Sequence, residues 1–237
     1  MKVFRYVNFN NDHGHYFFIV WFVILVVISF KSDFMKTLEQ EKYVLLDNIT
    51  SIWDQIYTVA PLVVVGTKEK EGYDLAPKHM AMPLGFGNYF GFVCTPRHNT
   101  FSNVLATGRF TVSFPLPDQI ITTSLSASPR MDCISKSEGI VNALPILRAP
   151  SMDAPIIADA YFYLECGLHK IIDGFDDYSI ITGTIKAAYA HRDYIKVSEI
   201  DEQDQILKNP ILVYIAPGRF AKITETYGFP FPKNFKR

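Results

Sequence analysis

The chain has 237 residues, 49% of them hydrophobic and 20% charged, with 19 Phe and 13 Tyr. That length and composition suit a globular chain with a sizeable core and exclude a disordered one. With 23 Lys and Arg against 24 Asp and Glu the net charge is −1, so no overall field draws the surface toward nucleic acid, and no basic stripe interleaves with aromatics.

The first feature in chain order is "YFFIVWFVILVVISF", Tyr16 to Phe30. It is apolar almost throughout, but it falls short of the ~20 residues that a helix needs to cross a bilayer. Lys2 and Arg5 precede it, as in a signal peptide. The following "SFKSDF" offers no small-x-small cleavage site. Met35 opens another usable start, "MKTLEQEKY". Residues 1–34 are therefore read as an apolar extension of three alternative origins: an anchor, a signal segment or an over-long start. Residues 35–237 are read as the functional domain.

Leu38, Tyr43, Leu46, Ile49, Trp53 and Ile56 recur at helical spacing, which predicts one helix over 36–57, broken near Asp47-Asn48 as the alternative. "PLVVVGT" from Pro61 predicts a buried strand, and "KEKEG" a charged turn. "YDLAPKHMAMP" carries Pro77 and Pro83, so it predicts an edge strand or an extended loop. "YFGFVCT" (89–95) predicts a strand, "TFSNVLAT" a short helix closed by Gly108, and "RFTVSF" (109–114) a strand. Residues 115–157, rich in Pro, Ser and Ala, predict an excursion from the sheet with short helices near 117–125 and 131–138.

"AYFYLECGLHKIID" alternates, with Phe162, Leu164, Cys166 and Leu168 on one face and Tyr161, Tyr163, Glu165 and His169 on the other. "DGFDD" predicts a hairpin turn with Asp-Gly in it, and "YSIITGTIKAAYAH" the return strand. Residues 193–209 read as loop and short helix, and "ILVYIAPGRFAKI" as a last strand with a Pro-Gly break. Strands dominate, and the hairpins predict an antiparallel closed sheet rather than βαβ units.

The three cysteines, Cys94, Cys133 and Cys166, are widely spaced and form no CxxC pair. They point to a reducing, cytoplasmic setting, with membrane anchoring through residues 16–30 as the alternative. His79, His98, His169 and His191 lack HxxxH or HExxH spacing, so no metal site is expected. Ser102, Ser113 and Ser124 stand in no GxSxG context. Neither GxGxxG nor GxxxxGK[ST] occurs. Asp132, Glu165 and the pair Asp176-Asp177 read as turn or sheet-surface carboxylates.

Two stretches could hold a ligand. In "CTPRHNTFSNVLATGRF" a helix start exposes unpaired N–H groups and a positive dipole end. Asn99 or Thr100 is a natural N-cap, and Arg97 and His98 stand just before it. Asn103 follows Thr100 by one turn. A phosphate clamp and a merely capped helix beside a solvated arginine both fit these residues. In "DLAPKHMAMP" two prolines limit backbone hydrogen bonding, and Met80 and Met82 offer soft contacts for an aromatic ring. A plain edge strand fits equally well.

Taken in order, "DLAPKHMAMP", "FVCTPRHNTFSNVLATGRFTVSF" and "LECGLHKIIDGFDDYSIITGTI" resemble the flavin reductase-like proteins of the FMN-binding split-barrel fold over roughly 55–223. The family pattern is approximately N-L-A-P-x-S, then S-P-x-x-x-T-x-x-N, then L-E-C-x-L with a G-D-H turn and G-x-V. The resemblance implies a mainly β fold: a six-stranded antiparallel split β-barrel with short peripheral helices, paired as a homodimer with FMN at the interface. By position, Ala76, Pro77, Lys78, His79, Met80, Ala81 and Met82 would lie along the flavin ring and ribityl chain. Thr95, Arg97, His98, Thr100 and Asn103 would bracket the phosphate, and "SASPR" (126–130) would close over the flavin.

Two positions depart from the family. His79 stands where a small hydroxyl is common. Tyr178 replaces the histidine of the G-D-H turn, next to a retained Asp177, and cannot titrate as an imidazole would. The expected activity is an NAD(P)H-dependent flavin reductase passing hydride through FMN to a flavin or other small acceptor. An electron carrier reduced by a protein partner and a non-enzymatic flavin-binding module are the alternatives. No catalytic acid or base is named, because the cofactor carries the chemistry.

Overall fold

The computed structural model describes residues 42–130 and 135–235. The apolar stretch 16–30, the start at Met35, and Asp132 and Cys133 lie outside them. The chain divides into two units, Met1–Gln55 and Ile56–Arg237.

In the first unit the predicted helix does not form over residues 43–55. A single 3-10 turn, Ile52–Asp54, replaces it, and Tyr43, Leu46, Ile49 and Trp53 are exposed. The apolar rhythm is present, but with these side chains exposed no burial offsets the nucleation cost of a short helix.

The second unit is mainly β. Its strands are β1 (Thr58–Pro61), β2 (Val63–Lys68), β3 (Tyr73–Lys78), β4 (Ala81–Pro83), β5 (Tyr89–Cys94) and β6 (Arg109–Phe114), then β7 (Ile146–Arg148), β8 (Pro155–Ile157), β9 (Phe162–Phe175), β10 (Tyr178–Ala190), β11 (Ile211–Ala216) and β12 (Arg219–Ile223). The helices are α1 (Asn99–Thr107), α2 (Ile120–Leu125), α3 (Lys136–Gly139) and α4 (Glu202–Lys208).

Seven strands form one antiparallel sheet in the order β3-β2-β6-β9-β10-β5-β4. Its edges, β3 and β4, are separated in the chain only by His79 and Met80. Three residue steps reach no further than roughly 11 Å, so the sheet must curl until its edges meet. This is a split barrel. The sheet counts seven strands rather than the expected six because "YDLAPKHMAMP" bends at His79-Met80 and contributes one strand to each edge. Pro77 and Pro83 both lie in these edge strands, where a missing N–H costs least.

The barrel interior gathers Val63, Val65, Phe90, Phe92, Phe110, Val112, Leu164, Cys166 and Ile181, with Phe92 and Phe110 edge to face at 5.3 Å. Cys94 and Cys166 are buried and unpaired, as expected of small apolar groups. Val64 points the other way, against Leu75, Val141, Leu144 and Ile157. Strand β2 is thus covered on both faces, which explains its unbroken Val run. The cover comes from residues 141–160, and it comes so near that a Cβ on Gly66 would stand 2.1 Å from the Pro155 carbonyl oxygen.

Three further expectations change. Glu165 is not on the surface but fully buried, accepting from the N–H (3.1 Å) and hydroxyl of Ser151 under the folded-back excursion. The hairpin turn falls within the expected "DGFDD" but on its last two residues, Asp176-Asp177, with Asp176 at φ 52°, while Asp173 and Gly174 stay in β9. The last strand is a hairpin, β11 and β12, turning at Pro217-Gly218 and pairing with β1 in a second sheet.

Candidate functional site

Helix α1 starts directly after β5. The Thr95 carbonyl accepts from His98 N–H at 3.0 Å, and this turn makes His98 the N-cap, with extended backbone and no side-chain capping bond. Neither Asn99 nor Thr100 is the cap, because the turn begins one residue earlier and both fall inside the first helical turn. Their side chains are therefore free for tertiary partners. Gly108 closes the helix in the left-handed conformation, φ 66°.

Thr100 and Asn103 face β2 and β3. Thr100 Oγ1 donates to Asp74 Oδ2 at 2.9 Å, and Asn103 Nδ2 donates to Thr67 Oγ1 at 3.0 Å and Glu69 Oε1 at 3.3 Å. Asp74 is buried, and its Oδ1 meets Lys136 Nζ at 3.0 Å and Arg130 Nη2 at 3.3 Å. Lys136 also donates to the Leu75 carbonyl. Arg130 pairs with Glu69, and with its amide oxygen turned toward Arg130, Asn99 accepts from Nε at 3.1 Å. Burial pushes the Glu69 carboxyl up, but hydrogen bonds from Arg130 and Asn103 and the Arg130 charge outweigh it and hold it below the usual range. Two cations and two carboxylates balance here.

Arg97 turns away from this cluster. Its Nη2 meets Asp177 Oδ2 at 2.7 Å across the β9–β10 turn, with both side chains exposed. Together they wall a recess of about 300 Å³, lined also by Thr95, Asp173, Tyr178 and Ser179. Ser179 Oγ donates to Asp173 Oδ1 at 2.6 Å.

Between the two clusters, Lys78 Nζ approaches Cys94 Sγ at 3.7 Å. Burial lowers the His98 pKa, and the Lys78 charge adds to that. Ala76, Pro77 and Lys78 are half-buried on β3. Past the bend Ala81 is buried, Met80 and Met82 are exposed, and the Met80 carbonyl accepts from Val93 N–H at 2.8 Å. His79 lies against Tyr214 of β11, ring centroids 4.6 Å apart and planes tilted by 32°, and burial, then Lys78, lower its pKa. Of the expected residues, Thr100 and Asn103 bond into the Asp74–Glu69 cluster, Lys78 meets Cys94, and Thr95 lines the recess. Arg97 joins Asp177 and Tyr178 instead, and His79 faces the second sheet.

The sequence profile of the flavin reductase-like domain matches residues 57–221, well over half of the chain. The chain belongs to this family.

Solved structures share its fold. A 2-nitrobenzoate 2-nitroreductase from Pseudomonas fluorescens superposes with a TM-score of 0.65 at 20% identity, covering 81% of this chain and 95% of that one. A flavoredoxin from Methanosarcina acetivorans gives 0.63 at 17%, covering 80% and 96%. An FMN-binding protein from Thermus thermophilus, solved with bound 1-cyclohex-2-enone, gives 0.61 at 20%, covering 79% and 99%. No curated protein matches the chain by sequence.

The cluster at the start of α1 also draws in residues that nothing local singles out. Asp74 opens the quoted edge segment, but nothing local marks it as buried. Glu69 looks like one charge among several in "KEKEG". Lys136 lies 61 residues from Leu75, whose carbonyl it reaches. Only the folding back of the excursion brings it to β3, so no local signal was available.

Proposed function

We propose that this flavin reductase-like domain binds FMN and works as an NAD(P)H-dependent flavin reductase, delivering electrons to a flavin or other small acceptor. The observation that supports it best is the convergence of Arg130, Asn99, Thr100 and Asn103 on the first turn of α1. A guanidinium fork, two amides and the open N–H groups of a helix start form a donor set suited to a phosphate monoester, while the Thr100 hydroxyl ties the helix start to Asp74. Lys136 stands behind them, holding Asp74. The residues therefore fit the group.

When bound, FMN supplies the hydride-accepting ring. The chain's own residues do the rest. Ala76 to Met82 run along the barrel seam as the wall for the ring and ribityl chain, with Met80 and Met82 as adaptable apolar contacts. Thr95, Lys78 and His98 connect that wall to the phosphate end. Arg97, Asp177 and Tyr178 line the substrate-side recess, where Tyr178 offers a flat face to a nicotinamide. In the net reaction NAD(P)H, a proton and the oxidised acceptor give NAD(P)+ and reduced acceptor. A homodimer and a cytoplasmic setting belong to the same reading. Among the described residues no helix is long and apolar enough to cross a membrane.

Titrating the purified chain with FMN while recording visible absorbance, then following NADH and NADPH absorbance with added flavin, tests this. Bound FMN with nucleotide oxidation supports it; a colourless protein that takes up no FMN removes it. A second reading, an FMN-carrying electron carrier with a protein donor, is favoured by the exposed aromatic pair Phe175 and Tyr178 at the hairpin tip. It predicts FMN binding, no nucleotide oxidation, and reduction when a ferredoxin-type donor is added.

A further inference from the structure

The turn between β2 and β3 carries three successive charges, Glu69, Lys70 and Glu71, and only the first is drawn inward. Lys70 and Glu71 are exposed. The Glu69 side chain keeps 11% of its exposure and takes hydrogen bonds from Arg130 and from Asn103. The other anion of the cluster, Asp74, is engaged by Thr100 and Lys136, with Arg130 further off at 3.3 Å. Glu69 is therefore the anion that occupies the donors suited to a phosphate.

We propose that Glu69 is a specificity residue of this clamp, an internal anion that a flavin phosphate must displace. The proposal rests on the FMN reading above. With Glu69 in place, the charges of Arg130 and Lys136 are already matched by Glu69 and Asp74, so an arriving phosphate meets no surplus cation. Once the carboxylate swings out, the Arg130 and Asn103 N–H groups that it holds are released to phosphate oxygens, which restore the same type of charge-assisted bond, while Asp74 and Thr67 keep both side chains in place. The turn permits this. Its backbone is closed by Glu69 N–H donating to the Gly72 carbonyl at 3.1 Å, with Gly72 at φ 81°, so the side chain can move while the strands stay paired. Binding thus exchanges one anion for another. Affinity for phosphate-bearing flavins is set by the difference between them, whereas a flavin without phosphate has no reason to displace Glu69.

The test is fluorescence titration of the full chain with FMN and with riboflavin, for the wild type and for Glu69→Gln and Glu69→Asp. Expected is FMN binding tightened roughly 10-fold by Glu69→Gln, with riboflavin binding unchanged and Glu69→Asp in between. If the wild type prefers FMN over riboflavin but both variants bind FMN equally or more weakly, Glu69 merely steadies Arg130; the proposal falls and the FMN reading stands. A thermal shift with inorganic phosphate separates the reverse case. Should no variant bind FMN while Glu69→Gln alone gains a phosphate-dependent rise in Tm, the internal anion is upheld and the FMN reading fails. Absence of both flavin binding and any phosphate effect overturns both.

Discussion

Thr100 Oγ1 and Asp74 Oδ2 lie 2.9 Å apart, joining the first turn of α1 to the barrel's edge strand. Asp74 is 3% exposed and also holds Lys136, itself 8% exposed. Asp74→Ala would leave a buried ammonium with only the Leu75 carbonyl. Removing one partner of a buried pair is far costlier than losing a surface one, so the variant is expected to lose about 3 kcal/mol in urea unfolding. Asp74→Asn, which can still accept from Thr100, should lose less. Equal stability of wild type and Asp74→Ala would show that the network carries no load.

Arg97 and Arg130 meet different carboxylates, and on the proposed reading they serve different ligands. Arg130→Ala removes the fork beside Asn99 and Asn103, and is expected to weaken FMN binding roughly 10- to 100-fold, the usual worth of a charged hydrogen bond. Arg97→Ala removes an exposed pair with Asp177, so stability should change by less than about 1 kcal/mol. Its effect should fall on the KM for the pyridine nucleotide instead. Finding the larger FMN loss in Arg97→Ala would move the phosphate to the Arg97 side.

His79 and His98 both have pKa values lowered chiefly by burial, with Lys78 adding to it. The folded state therefore binds fewer protons than the unfolded one below the ordinary imidazole value of about 6.5. Their contribution to stability is complete above that value and declines as pH falls below it toward the folded pKa values. Melting curves across this range should show Tm falling on acidification, and the combined His79→Gln, His98→Gln variant should show a shallower fall. An unchanged slope in the variant would rule these imidazoles out as its source.

Gly66 stands where the excursion crosses β2. A methyl group there would meet the Pro155 carbonyl oxygen at 2.1 Å and Thr111 Oγ1 at 2.5 Å. The first is backbone and cannot swing aside. Gly66→Ala is expected to cost roughly 1–3 kcal/mol and to loosen residues 146–157, visible as faster amide exchange in β8. A stable variant with unchanged exchange would mean that the strand and excursion can separate without penalty.

Much of the barrel was legible in the residues because the signals were local. The alternation from Phe162 to Leu168, the Val run of β2, and Gly108 after α1 each report a backbone preference or a face. The helix expected over 36–57 does not form over 43–55, where its apolar residues stay exposed; periodicity marks a face but supplies no packing partner for it. Glu165 was misplaced because strand alternation tells which face a residue takes, not whether another part of the chain later covers that face. The candidate site was half legible. Thr100 and Asn103 were marked by their position at a helix start, whereas Glu69, Asp74 and Lys136 acquire meaning only when three distant segments meet.

By themselves, the residues determined a β-rich chain with an edge segment stiffened by Pro77 and Pro83 and a helix stopped at Gly108, since dihedral preference and side-chain periodicity act over a few neighbours. Only the tertiary structure decided that Arg97 faces Asp177 while Arg130 faces Glu69. Which cation finds which carboxylate depends on how the sheet curls and where the excursion lands, and those are outcomes of packing over the whole chain.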